Sequence, residues 1–96
     1  MLISGRDILD SFAGAHADAR PWIEIWIADT AMAKWRTPLD VKVSYSSASF
    51  LPGNVVILNV KGNKYRMELQ LAYNTGVVIV RWVGTHASYT KRMKGT

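Results

Sequence analysis

Hydrophobic and polar positions alternate in two different rhythms along this 96-residue chain. In the first third they fall at helical intervals. Ser4 followed by Asp7 resembles a capping box with the shorter acid, Ile8, Leu9 and Phe12 then share one face, and Gly14 is a stop signal. A second helix is predicted from Asp18, a good N-cap, with Pro21 tolerated in the first turn. Its Trp22, Ile23, Trp26 and Ile27 form one wide apolar face, and Glu24 and Asp29 mark the polar side, with Ile25 as the exception. That helix should fade before Thr37-Pro38. There Thr37 caps a short turn, with Pro38 at its first position and Asp40 three residues after the cap.

From Lys42 onward the rhythm is that of strands. Val43, Tyr45 and Ser47 alternate and predict a strand over 42–50. Leu51-Pro52-Gly53-Asn54 is a turn, and further strands are predicted over 55–61, 64–73 and 76–83. Gly62-Asn63 reads as a two-residue hairpin loop, because both residues tolerate positive φ, and Asn74-Thr75-Gly76 closes the next hairpin. Such a loop pairs Lys61 with Lys64, Asn59 with Arg66, Ile57 with Glu68 and Val55 with Gln70, all on one face. The opposite face sets Val56, Leu58 and Val60 against Tyr65, Met67, Leu69 and Leu71, and needs an apolar cover. Val80 and Trp82 are assigned to that core, and Arg81 to the polar face. The fold class is therefore α+β: two N-terminal helices packed on one face of a mostly antiparallel sheet of about four strands. Residues 1–96 are expected to form a single domain, since two would each be too small to bury a core.

Composition removes several classes. With no Cys there is no disulfide framework and no thiolate metal site. No apolar run approaches the roughly 20 residues that cross a bilayer, and charge arrives at Arg6 and Asp7 before a signal-peptide core can form. A cytoplasmic protein without a membrane partner is expected. The net charge of +5 is unevenly placed. Residues 1–40 hold four basic and six acidic residues, whereas residues 41–96 hold eight basic residues and one acid, Glu68. A half at +7 attracts polyanions, of which nucleic acid is the commonest in a cytoplasm.

The strand register converts that charge into a surface. Lys61, Lys64, Arg66 and Arg81 gather on one sheet face around Glu68, which can pair with Arg66 or Arg81. Like charges opposed across strands cost stability unless an anion lies between them or the long side chains splay into water. Beyond the last strand comes Val83-Gly84-Thr85-His86-Ala87-Ser88-Tyr89. Gly84 is expected to permit an unusual backbone turn that leaves His86 and Tyr89 on one side of a helical turn. An imidazole moves protons near neutrality, a phenol binds phosphate or stacks on a base, and guanidinium groups stabilise charge building on a phosphate. This set suits metal-free RNA cleavage, with no cofactor. His16, in the acidic half, is expected at the surface away from the sheet. Trp35, between Lys34 and Arg36, is read as an exposed partner contact. Lys91-Arg92-Met93-Lys94 is read as a frayed basic tail able to touch RNA.

At these residues the chain resembles the HigB family of bacterial toxins, the mRNA interferases of type II toxin–antitoxin modules within the RelE-like superfamily. The resemblance is carried by Asn59-Val60-Lys61-Gly62-Asn63-Lys64-Tyr65-Arg66 and by Arg81-Trp82-Val83-Gly84-Thr85-His86-Ala87-Ser88-Tyr89, with support from Trp35, Pro38, Asp40, Lys42, Tyr45 and Ala48. It implies two helices on a mostly antiparallel sheet, cleavage of mRNA on the translating ribosome, and neutralisation by a HigA-type helix-turn-helix antitoxin. Carried over by position, Lys61, Lys64, Arg66, Arg81, His86 and Tyr89 match the basic and aromatic positions that the resemblance implies at the RNA face. On the chemistry above, the expected catalytic set is Arg66, Arg81, His86 and Tyr89, with Lys61, Asn63 and Lys64 holding mRNA and Lys42, Lys91 and Arg92 touching ribosomal RNA near the A site. One departure is that an acid often follows the tyrosine in the family, whereas Thr90 and Lys91 follow it here. The competing classes are a non-catalytic RNA- or ribosome-binding module and a structural adaptor that works through its apolar helices.

Overall fold

The structure is a computed structural model and describes residues 1–94. In chain order the elements are β1 (Leu2–Ser4), α1 (Arg6–Ala15), a 3-10 turn (Ala17–Ala19), α2 (Arg20–Met32), α3 (Pro38–Ser44), β2 (Ser49–Leu51), β3 (Val55–Val60), β4 (Tyr65–Ala72), β5 (Val77–Thr85) and α4 (His86–Lys94). The strands form one mixed sheet in the order β1-β5-β4-β3-β2. Only β1 runs parallel to its neighbour, and the other pairings are antiparallel. The architecture is α+β, as the two rhythms predict, with α3, α4 and β1 added.

The core lies between α1–α2 and one sheet face. Leu9, Ala13, Ile23 and Trp26 meet Val56, Leu58, Val60, Met67, Leu69, Leu71, Val78 and Val80 there. Removing these side chains from water, at about 25 cal/mol per Å² of apolar surface, is the main stabilising term. The predicted face of α2 holds: Ile23 and Trp26 are buried and Ile25 is exposed. Trp35 belongs to this core rather than to the surface, 5% exposed and edge-on to Tyr45 at 6.1 Å.

Local signals at the helix starts behave unequally. Thr37 and Asp40 form the expected capping box. The turn continues as α3, however, so no strand begins at Lys42. Val41 is fully buried and Tyr45 packs on the core four residues later, which is helical spacing. The Val43–Tyr45–Ser47 alternation is too short to compete with a capped helix. At α1 the cap is Gly5 rather than Ser4, which lies in β1. Gly5 sits at φ 85°, and a Cβ there would meet the Val80 carbonyl oxygen at 2.5 Å, so only glycine passes so close to β5. At α2 the N-cap is Ala19 without a side-chain bond, and Asp18 is used elsewhere.

The β3–β4 register is the expected one: Val55 pairs with Gln70, Ile57 with Glu68 and Asn59 with Arg66. The connection is a four-residue turn over residues 61–64, with positive φ at Lys61 and Gly62 instead of Gly62 and Asn63. The β4–β5 ladder holds an irregularity. Glu68 pairs with Trp82 but Leu69 pairs with Val80, so Arg81 is an extra residue. This bulge puts Trp82 on the outer face, half-buried, and not in the core with Val80.

Candidate nucleic-acid interface

The N-terminal end of β4 and the C-terminal end of β5 meet where α4 begins. Tyr65 pairs with Thr85 and Arg66 with Gly84, and the His86 backbone N–H donates to the Lys64 carbonyl at 3.2 Å. Thr85 caps α4, its hydroxyl accepting from the Ser88 N–H at 3.1 Å. Thus Arg66, His86 and Tyr89 are brought to one end of the sheet by strand pairing and one capped turn. The Arg66 Nη1 donates to the carbonyls of Asn63 (3.2 Å) and Tyr65 (3.1 Å), which fixes the guanidinium beside the hairpin. The His86 ring is exposed and Tyr89 is half-buried.

Trp82 organises this end, although the sequence reading placed it in the core. Its indole lies over Gly84, where a Cβ would collide with the benzene ring. Gly84 thus supplies space inside β5 and makes no unusual turn. The Tyr89 ring stands 6.2 Å from the Trp82 ring, tilted by 39°. The Arg92 guanidinium sits 5.3 Å from the indole centroid and contacts Glu68 through Nε–Oε1 at 3.3 Å and Nη2–Oε2 at 3.4 Å. Residues 91–94 are therefore part of a helix anchored on the outer sheet face, not a frayed tail. Glu68 pairs with Arg92 instead of Arg66 or Arg81.

The four expected cations do not share one cradle. Lys61 and Lys64 turn to the helical side, where both pair with Asp18 and the Tyr65 hydroxyl donates to its other oxygen at 2.8 Å. The hydrogen bond from Lys64, then that from Tyr65, holds the Asp18 carboxyl far below the usual carboxylate range. The same hydrogen bond to Asp18 raises Lys64, and the one made by Tyr65 raises the phenol. Both lysine side chains keep about half their surface in water, at 47% and 57% exposure. His16 joins this cluster, stacked on Phe12 at 4.4 Å and edge-on to Tyr65 at 5.3 Å, which corrects its placement away from the sheet. Arg81 is exposed at the bulge, 3.5 Å from the Gln70 side-chain oxygen. Lys42 lies apart on α3, donating to the Ala48 carbonyl at 3.0 Å. Asn63 is at the hairpin turn and Lys91 is exposed on α4.

What sequence reasoning missed here was Trp82, the Glu68–Arg92 pair and the role of Asp18. Gly84 two residues after Trp82 was the available sign for the first, since a half-buried ring on a strand needs an adjacent gap. The other two depend on long-range contacts that no local pattern encodes.

Comparison with known families gives one finding. The family model for HigB toxin, the RelE-like toxic component of a toxin–antitoxin system, matches residues 19–92. No curated protein matches the chain. No helix among the described residues is long and apolar enough to cross a membrane.

Proposed function

The chain belongs to the HigB toxin family, the RelE-like toxic component of a toxin–antitoxin system with a cognate antitoxin, and from that premise we propose that it is a metal-independent endoribonuclease that cuts mRNA on the ribosome. What supports this reading is the backbone arrangement: Arg66 pairs with Gly84, and α4, which carries His86 and Tyr89, starts beside Lys64 at the same end of the sheet. RNA contains its own nucleophile. The 2′-hydroxyl attacks the adjacent phosphorus, its proton leaves to a base, and the 5′-oxygen departs with a proton from an acid. The products are a 2′,3′-cyclic phosphate and a 5′-hydroxyl end. The enzyme has to hold the phosphate, neutralise the phosphorane and move two protons.

In this reading Arg66 binds the scissile phosphate through the guanidinium N–H groups that the hairpin carbonyls do not engage. His86 transfers a proton, and Tyr89, steadied by Trp82, orients the phosphate or the base. Arg81 lies on the same face beyond Glu68 and Trp82 and contacts a flanking phosphate. Lys61, Asn63 and Lys64 hold RNA at the hairpin, and Lys42, Lys91 and Arg92 face ribosomal RNA. The antitoxin is a HigA-type helix-turn-helix protein, whose acidic segment would offset the basic half.

The experiment is induction of the chain in a bacterium with and without its antitoxin, followed by mapping of RNA 5′ ends. New 5′-hydroxyl ends within reading frames are expected, and His86→Gln should lower their rate about 10²-fold or more. Unchanged cleavage by that variant removes His86 from the chemistry. No cleavage by the wild type, with or without ribosomes, would favour a binding module on the same surface.

A further inference from the structure

We infer that a cleft beside the β3–β4 hairpin is the subsite for one base of the RNA, a reading that rests on the ribonuclease proposal and names part of its specificity. The cleft, about 430 Å³, opens because β2 is short. Ser49, Phe50 and Leu51 pair with Ile57, Val56 and Val55, so β3 beyond Ile57 has one unpaired edge. Residues 44–47 bend away there and leave a gap.

The walls are chemically specific. Trp22 and Tyr45 offer ring surfaces on one side, their centroids 6.2 Å apart. Asn59 and Asn63 stand on another, joined by one bond from Nδ2 to Oδ1 at 3.4 Å. Ser44, Ser46, Ser47 and Gly62 complete the lining. Most of this hydrogen-bonding capacity is unused. The hydroxyls of Tyr45, Ser46 and Ser47 have no hydrogen-bond partner among the described residues, and each amide engages only one of its two polar atoms. None of the lining side chains is charged. A phosphate would seek cations, and an aliphatic group would leave the amides and hydroxyls unpaired. A nucleobase fits both features, with a flat face for the rings and a donor–acceptor edge for the amides.

Position agrees with chemistry. Asn59 is the cross-strand partner of Arg66, and the Arg66 guanidinium donates to the Asn63 carbonyl. The amide wall of the cleft therefore backs onto the arginine that holds the phosphate. A strand whose phosphate rests on Arg66 presents an adjacent base to the cleft, with Lys61 near its backbone.

The test maps RNA 5′ ends for the wild type, Asn59→Ala and Ser47→Ala and scores each cut by its flanking bases. Cleavage should persist while the base preference at one position next to the cut falls about tenfold, the size of a lost hydrogen-bond pair. An unchanged preference in both variants overturns the subsite. If the wild type cuts no RNA, the ribonuclease reading fails by itself, and the cleft is judged by binding. The Asn63 side-chain amide signals are then followed by NMR as each of the four nucleoside monophosphates is added to about 10 mM. A shift with one base, weakened in Asn59→Ala, supports the subsite. No shift with any base overturns it, as does a shift produced by the antitoxin alone.

Discussion

At Gly84 an absent side chain does the positioning. The Trp82 indole rests where a Cβ would project, and Arg92 and Tyr89 stand around the indole. Gly84→Ala forces the ring away, and overpacking of this kind costs about 1–3 kcal/mol. Urea unfolding followed by Trp fluorescence should show that loss together with a changed native emission. A variant as stable as the wild type would mean that the indole has another seat. Asp18 has the opposite character, a carboxylate with three partners. Its contacts hold the carboxyl below its ordinary value of 3.8. A group depressed in this way stabilises the fold fully above its unfolded pKa, and the contribution fades as pH falls through the folded value. Asp18→Asn should therefore lower Tm at neutral pH, and the gap from wild type should narrow once pH drops below the ordinary carboxylate range. Melting curves at stepped pH would show it, and a gap constant into strong acid would refute the linkage.

Among the elements, α4 depends most on contacts distant in sequence. It has no buried residue of its own and lies on the outer face of β4 and β5 through Tyr89 and Arg92. Glu68→Gln removes the charge that Arg92 meets. Amides of α4 should then exchange faster with deuterium while those of β3 and β4 keep their protection. Equal protection of α4 in both proteins would show that the indole contact alone holds the helix. The elements also show where sequence is readable. The α2 face, the β3–β4 register and the Thr37–Asp40 box all follow from neighbours within a few residues. The bulge at Arg81 does not, because Trp82 and Val83 are both apolar and either phase of the alternation suits them. That bulge is why Trp82 was assigned to the wrong face.

Over the whole molecule the charge division becomes contact as well as field. The acidic and basic halves touch where Asp18 meets Lys61 and Lys64, while Arg81 at the bulge and Lys91 on α4 are exposed. RNA affinity should fall with added salt, with a log–log slope of about −0.7 per phosphate neutralised. Lys61→Ala should flatten that slope by about one such step, measured by fluorescence anisotropy of a labelled single strand. A slope unaffected by salt or by the substitution would place RNA elsewhere. The site was legible in part. The backbone positions of Arg66, His86 and Tyr89 at one end of the sheet follow from strand register and a capped turn, and their catalytic roles belong to the proposal. Lys61 and Lys64 were read as facing outward with Arg66 because register fixes where a Cα stands but not which way a long side chain bends.

Sequence alone determined the division into helical and strand-forming halves, the apolar sheet face and the excess of positive charge in the second half. These are properties of residue type and spacing, and short-range sterics and burial enforce them. Only the tertiary structure decided that α4 returns over the sheet, that Trp82 stands outside the core and that Asp18 claims two lysines. Each of these joins groups far apart in the chain, and such contacts are chosen by the packing of the entire fold, not by any local pattern.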